Sequence, residues 1–223
     1  MRAMILAAGR GERMRPLTDA TPKPLLEVAG KPLIRYHVEN LAHAGVRDIV
    51  VNLAWKGAMI REALGDGAAL GVRIHYSEEG EQALETGGGV LQALPLLGPG
   101  PFLVLSADLW TDYPLASCAA RLADADVAHL VLVPNPDFHV RGDFGLRAGR
   151  LVEDDGPRYT YANIGVFRAE FFSGRSPGRF PLAPLMREWI GRRKVSGELY
   201  EGRWWNVGTP AQLAALGRAL RGA

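Results

Sequence analysis

The chain alternates between short unbroken apolar runs and longer segments in which apolar residues recur every three or four positions. Ala3-Met-Ile-Leu6 is continuously apolar, and Asp48 to Ala54, Val72 to Tyr76, Phe102 to Leu105 and Ala128 to Val133 repeat that character. Such runs, bounded by Gly, Pro or Asp, predict strands buried on both faces. Leu33, Tyr36, Leu41 and Ala44 fall near helical spacing, so a helix is expected from Pro32 to about Ala44, stopped by Gly45. Further helices are expected over Met59 to Leu64, from Thr86 as cap to Leu94 just before Pro95, and over Leu115 to Ala123. This strand–helix alternation with short links predicts a three-layer α/β/α domain around a mostly parallel mixed central sheet.

After Pro134 the pattern changes. Short strands are expected near Phe144–Leu146, Arg150–Glu153 and Tyr159–Phe167, then helices near Ala183–Arg192 and Ala211–Leu220. The chain reads as a single domain, 1–223, with a core over 1–134. Residues 135–223 read as an addition packed on the ligand-bearing edge of the sheet. No hexapeptide repeat is present, which argues against an appended left-handed β-helix.

Composition narrows the classes. The 223 residues suit one large domain, and 48% hydrophobic residues allow a sizeable core. A net charge of +2 gives no general pull toward nucleic acid or membrane. Only four of the 26 basic residues are lysines, at 23, 31, 56 and 194, so Lys23 stands out against 22 arginines. The lone Cys118 excludes an intrachain disulfide and is expected in the core. The histidines, at 37, 43, 75, 129 and 139, lack metal spacing and read as surface or interface residues. With no leader before the first strand and no apolar run of bilayer length, a soluble cytoplasmic protein is expected. Oligomeric state stays open.

Four segments carry chemistry. Leu6-Ala-Ala-Gly-Arg-Gly-Glu-Arg-Met-Arg-Pro-Leu-Thr18 ends a buried strand in a glycine loop, whose backbone N–H groups can cradle phosphate. Arg13, Arg15 and Lys23 add charge nearby, with Lys23 expected in a stiff extended segment between Pro22 and Pro24. The loop is not a Walker A sequence, and Met14 stands where a dinucleotide fingerprint has its third glycine. In the second segment Asp108 follows a buried strand, where one carboxylate suits Mg²⁺. Asp112 competes, but Tyr113-Pro114 follows it, so it reads as a helix cap. The third segment is Gly202-Arg-Trp-Trp-Asn-Val-Gly-Thr-Pro210, whose Thr-Pro starts the last helix. The fourth, Leu84-Glu-Thr-Gly-Gly-Gly89, opens a helix with glycines that permit close approach by a flat base.

The first segment resembles the signature loop of the sugar-1-phosphate nucleotidyltransferase family, and the likeness extends over essentially the whole chain. The resemblance implies that Ala8, Gly9, Gly11, Glu12 and Arg13 wrap a nucleoside triphosphate, that Arg15 stabilises the leaving pyrophosphate and that Lys23 neutralises the α-phosphate. It implies a base-reading role for Glu85, Gly87 and Gly88, and Mg²⁺ held by Asp108 and by the position of Asn206. The family has an aspartate where this chain has Asn206, which lowers the charge available to a metal. The form Glu-Thr-Gly-Gly-Gly, with Asp108-Leu-Trp-Thr-Asp-Tyr113, Arg141-Gly-Asp-Phe144 and Lys194-Val-Ser-Gly-Glu198, is similar to the bacterial branch that transfers uridylyl groups to N-acetylmuramic acid 1-phosphate in cell-wall sugar recycling.

On the sugar side Ser106, Gly142, Asp143, Asp155 and Asn163 are expected contacts. Many relatives carry Val-Glu-Lys-Pro where this chain has Val152-Glu-Asp-Asp155, so the lysine that meets the sugar phosphate is missing, and Arg158 is a substitute. Arg141 is the first candidate partner for a sugar carboxylate and Arg158 the second. The implied partners are small molecules, a nucleoside triphosphate and a sugar 1-phosphate. Two other readings stay open: a mannose-1-phosphate guanylyltransferase with the same chemistry, and a weakly catalytic sugar-nucleotide-binding regulatory subunit, motivated by Asn206.

Overall fold

The computed structural model describes residues 1–80 and 82–222. Thirteen strands occur in chain order: β1 (Arg2–Leu6), β2 (Glu27–Val28), β3 (Lys31–Pro32), β4 (Asp48–Leu53), β5 (Arg73–Glu78), β6 (Phe102–Ser106), β7 (Leu109–Thr111), β8 (Ala128–Val133), β9 (Phe144–Arg147), β10 (Arg150–Val152), β11 (Arg158–Phe167), β12 (Val195–Leu199) and β13 (Trp204–Asn206). The α-helices are α1 (Leu17–Ala20), α2 (Leu33–His43), α3 (Gly57–Leu64), α4 (Glu85–Leu97), α5 (Leu115–Cys118), α6 (Leu182–Gly191) and α7 (Pro210–Arg221).

Nine strands form one sheet in the order β5-β4-β1-β6-β11-β8-β12-β10-β9. The first four are mutually parallel. Strand β11 enters antiparallel between β6 and β8, and β12 lies parallel to β8. Residues after 134 therefore interleave with the earlier strands and do not form an addition at one edge. The expected strands missed β12, because Val-Ser-Gly-Glu-Leu lacks an apolar run.

Alternation along each strand feeds two cores, one per face. Ala3, Ile5, Ile49, Val51, Leu103 and Leu105 pack with α2 and α3 on one face. Met4, Val50, Phe102 and Val104 pack with α4 and α6 on the other. Burial on both faces is why these strands read as continuous apolar runs. A third, smaller core of Met14, Leu26, Val28, Leu33, Trp110, Val207 and Leu216 joins the glycine loop to α7.

Several boundaries differ from expectation. Helix α4 continues through Pro95 to Leu97: a proline this close to the end costs one bond, its missing N–H to the carbonyl four residues back, and only two residues follow it in the helix. Helix α5 stops at Cys118 and passes into a short 3₁₀ turn. Thr209 caps α7, its hydroxyl accepting from the Gln212 N–H at 3.3 Å with Pro210 at the first turn, as its sequence predicts. Cys118 is buried, whereas His37 and His129 are buried too and not at the surface. No helix among the described residues is long and apolar enough to cross a membrane.

Candidate active site

A cavity of about 360 Å³ opens at the carboxyl ends of β1, β4 and β6. Ala8, Gly9, Gly11, Glu12 and Asp108, all candidates from the sequence, line it, and so does Ser106, which was expected on the sugar side. Gly11 has φ +69°, and a Cβ there would meet the Lys23 and Thr18 side chains at 3.1 Å. Only glycine combines that backbone with that proximity. The Thr18 hydroxyl donates to Gly11 O at 2.9 Å and the Met14 N–H donates to the same oxygen at 2.9 Å, which fixes the loop. The amides of Gly9, Arg10 and Gly11 find no acceptor among the described residues, the condition for a loop that receives an anion.

Met14 is fully buried in the third core, and the two arginines beside it part company. Arg13 lines the cavity. Arg15 does not; it is exposed, with Nε 2.9 Å from Asp19 Oδ1 one helical turn on. The expectation for Arg15 is thus corrected: an i,i+4 partner on α1 draws it away, and Arg13 holds the position by the loop.

Lys23 is 8% exposed, with Nζ 2.5 Å from Asp108 Oδ2. Pro22 is extended as expected, but Lys23 begins a 3₁₀ turn closed by the Leu25 N–H to Pro22 O at 2.8 Å. The turn, not an extended segment, aims the lysine inward.

Asp108 lies between β6 and β7. β7 pairs antiparallel with β13, Leu109 opposite Asn206, and the Val207 N–H donates to Asp108 O at 2.8 Å. Asn206 is thereby brought next to Asp108 across nearly a hundred residues. Its Oδ1 is buried and lacks a hydrogen-bond partner among the described residues. A buried orphan acceptor costs about 1–3 kcal/mol, so a ligand for it is chemically expected. No cluster of three or more His, Cys, Asp or Glu occurs among the described residues. One carboxylate and one amide oxygen nevertheless fit Mg²⁺, which keeps waters and takes phosphate oxygens. Asp112 serves neither as helix cap nor at the cavity: Oδ1 accepts from the Arg203 N–H at 2.9 Å and Oδ2 from Arg203 Nε at 3.0 Å. Beneath this loop, burial pushes the His37 imidazole down to about 4 against the pull of Asp108.

The sequence reading missed Asn52 and Glu79. The Ala7 N–H donates to Asn52 Oδ1 at 2.7 Å, Asn52 Nδ2 to Glu79 Oε1 at 2.6 Å, and the Leu84 N–H to Glu79 Oε2 at 2.6 Å. Burial raises the Glu79 carboxyl against these bonds. The network ties the first strand's end to the start of α4, and both residues line the cavity. The signal was an asparagine within an otherwise apolar strand, Ile-Val-Val-Asn-Leu.

The glycines of α4 make a close approach within the chain. Glu85 (φ 62°) and Thr86 line the cavity, but Gly87 and Gly88 do not. Their amides donate to Phe180 O at 2.9 and 3.0 Å. A Cβ on Gly87 would run into Phe180, and one on Gly88 into Gly178 O. The close approach that the structure shows for them is to the 178–180 segment. Thr86 does not cap its own helix either; its hydroxyl accepts from the Leu182 N–H at 2.9 Å at the start of α6.

A second cavity of about 370 Å³ is lined by Arg13, His139, Asp143, Asn163, Arg187 and Asn206, among rings of Phe138 and Trp204. Asn163 (φ 57°) sits where the register of β11 shifts between Tyr161 and Gly165. Gly142 (φ +61°) turns the loop, and a Cβ there would meet Asn135 Oδ1 at 2.8 Å, so its role is backbone geometry. Arg141 and Asp155 are exposed and line neither cavity. Arg158 is outside both linings as well, its guanidinium donating to Asp143 O. These expectations for Arg141, Asp155 and Arg158 are corrected: the Gly142 turn carries Arg141 off the rim, the link from β10 to β11 carries Asp155 off it, and Asp143 O and Glu153 engage Arg158 at the start of β11.

Residues 2–146 match the Nucleotidyl transferase family. The chain belongs to that family. Within it, the chain is 49% identical to an N-acetylmuramate alpha-1-phosphate uridylyltransferase of Neisseria meningitidis, over 100% of this chain and 99% of the relative. It is 39% identical to an enzyme of the same name from Caulobacter vibrioides, over 97% and 96%. A solved structure assigned as a Bacillus anthracis glucose-1-phosphate thymidylyltransferase superposes with a TM-score of 0.87 at 20% identity, covering 100% of this chain and 96% of that one. That likeness extends the nucleotidyltransferase fold over the whole chain, beyond the residues of the family match.

Proposed function

We propose that this nucleotidyltransferase joins UTP to N-acetylmuramic acid 1-phosphate, giving UDP-N-acetylmuramic acid and pyrophosphate, and so returns a cell-wall sugar to an activated form. The observation that carries the reading is the junction of the two cavities. Arg13 lines both, and Asp108 of the first is hydrogen-bonded into the strand that brings Asn206 to the second. A nucleotide on the glycine loop and a sugar phosphate in the second cavity would meet there. The two full-length relatives carry this activity in their names and favour uridine and muramate over guanosine and mannose.

In the reaction a sugar-phosphate oxygen attacks the α-phosphorus of UTP, the bond from that phosphorus to the bridging β-oxygen breaks, and the electron pair leaves on pyrophosphate. The nucleophile is already ionised at neutral pH, so no general base is required. Catalysis is then positioning and charge compensation. The loop amides and Lys23 hold the triphosphate, and Arg13 stands where charge builds on the leaving group. Asp108 and Asn206 would hold Mg²⁺. That ion, when bound, would offset phosphate charge and orient the α-phosphate.

The test is pyrophosphate release across UTP, GTP and TTP with N-acetylmuramic acid 1-phosphate, N-acetylglucosamine 1-phosphate and mannose 1-phosphate. Highest kcat/KM for UTP with the muramic acid phosphate is expected. Preference for GTP and mannose 1-phosphate would overturn the substrate assignment, and tight UTP binding without pyrophosphate release would overturn the enzymatic one.

A further inference from the structure

The second cavity holds a cation that nothing in the sequence pattern singles out. Helix α6 presents Ala183, Met186 and Arg187 to it, positions i, i+3 and i+4 of one face. The Arg187 guanidinium lies 5.2 Å from the centroid of the Phe144 ring, and its Nη1 donates to Glu153 Oε1. Glu153 also stands 3.6 Å from Arg158, so one carboxylate is shared between two guanidinium groups. Asp143, the carboxylate of the lining, is directed to its own loop: Oδ2 accepts from the Tyr161 N–H at 2.8 Å and Oδ1 lies 3.0 Å from His139 Nε2.

We infer that Arg187 pairs with an acidic substituent of the acceptor sugar, the lactyl carboxylate of N-acetylmuramic acid 1-phosphate, and thereby selects an acidic sugar phosphate over a neutral one. The inference rests on the functional reading above. That acceptor carries two anionic groups, a phosphate and a carboxylate, and the lining carries two arginines. Arg13, shared with the nucleotide cavity, faces the reacting phosphates, which leaves Arg187 for the carboxylate. A carboxylate entering a half-enclosed cavity sheds water and is costly there unless a cation meets it. A guanidinium offers five donors in a planar fork, and Glu153 engages only one of its nitrogens. The Phe144 ring beneath restrains the group, whose side chain stays open to solvent at the cavity mouth. The rings of Phe138 and Trp204 in the same lining supply apolar contact for the methyl groups of such a sugar.

The experiment measures kcat/KM with UTP for N-acetylmuramic acid 1-phosphate and for its lactyl amide, which has the same shape without the charge. The wild type should prefer the acid. In Arg187→Ala and Arg187→Gln, each checked for a native melt, the acid-over-amide ratio should fall roughly ten- to a hundredfold, toward one. Arg187→Lys should restore part of it. The glutamine variant is the safer probe, because it can still hydrogen-bond Glu153. A ratio unchanged in both neutral variants would overturn the inference and leave Arg187 as a support for the β9–β10 hairpin, with the functional reading intact. A wild type that turns over acid and amide equally well would overturn it too. A wild type that releases no pyrophosphate with either would overturn the functional reading and this inference with it.

Discussion

The two cavities are built by different means. The nucleotide side sits at the ends of parallel strands and is built around main chain: a glycine loop with its free amides, joined by Arg13 and Lys23, by Asn52 and Glu79 at the ends of β4 and β5, and by Ser106 and Asp108 at and just after the end of β6. The second cavity is made of side chains drawn from a 3₁₀ turn near 138, strands β9, β11 and β13, and helix α6. Main-chain recognition of phosphate needs glycine at fixed places and tolerates little else. Recognition by side chains can be redistributed residue by residue while the sheet stays the same. One half is therefore suited to carry the shared reaction, and the other to carry the choice of sugar.

The largest effects should come from the main-chain half. Lys23→Ala and Arg13→Ala should each lower kcat by a factor of about 10²–10³, the usual cost of removing one preorganised charge contact at a transition state. Arg15→Ala, whose guanidinium is spent on exposed Asp19, should change kcat by less than about threefold, in line with the small energy of a surface ion pair. Steady-state pyrophosphate release on folded variants separates them. If Arg15→Ala fell as far as Lys23→Ala, the loop would have to rearrange on nucleotide binding to exchange the two arginines.

This contrast also explains what was legible beforehand. The glycine loop, Lys23 and Asp108 were readable because they are close in sequence or stand at the ends of apolar runs. Arg13 and Arg15 could not be told apart, since the Asp19 partner that holds Arg15 at the surface comes within reach only once α1 forms. The fold was readable where strands are buried on both faces and less so at β7, β12 and β13, which are short and polar at some positions. Arg187 was not readable at all. Its place on an amphipathic helix looks like any solvent-facing arginine in a chain with 22 of them. The triple glycine was readable as a close approach, but not the 178–180 segment that it approaches: glycine announces a close approach without saying by what.

That approach gives the next effect in size. Gly88→Ala would press a Cβ into Gly178 O, a backbone atom that must move with its segment. Alanine gains about 1 kcal/mol in helix preference over glycine, but overpacking against backbone costs about 1–3 kcal/mol or more. A lower melting temperature is expected, with nucleotide affinity changed less than twofold or threefold. Isothermal titration with UTP checks the second part. A large loss of UTP affinity at unchanged stability would support the base-binding role of the glycines.

Asn206→Asp tests the seam between the halves. It adds a charge next to Asp108 where the amide oxygen now lacks a partner among the described residues. If the two residues share a metal, the Mg²⁺ concentration for half-maximal rate should drop several-fold, since carboxylate count tunes affinity for hard cations. An unchanged Mg²⁺ requirement would separate Asn206 from the metal.

The smallest effect lies at the outer edge of the parallel half, and it should leave both cavities untouched. Strand β5 ends the sheet there, and it is fastened to β4 by Asp48, which receives Arg73 Nε at 2.9 Å and Nη2 at 3.0 Å, with His75 Nε2 at 3.3 Å. The Arg73 guanidinium, then the His75 contact, hold the Asp48 carboxyl at about 2 against 3.8 for the free group. Between those values the unfolded chain binds the proton and the folded chain does not, so stability falls as pH falls. The contribution is complete above about pH 4 and lost as pH drops through about 2. Because Arg73 is well exposed, solvent screens the pair, and the change should be on the order of 1–2 °C in Tm. Melting curves at pH 4.5 and pH 2.5 for wild type and Asp48→Asn read it directly: the variant should melt slightly lower at the higher pH and converge with the wild type at the lower. Hydrogen exchange should locate the difference in β5 and not in β8, which is buried on both faces and flanked by two strands. Equal exchange changes in both strands would mean that the edge and the centre of this sheet open together.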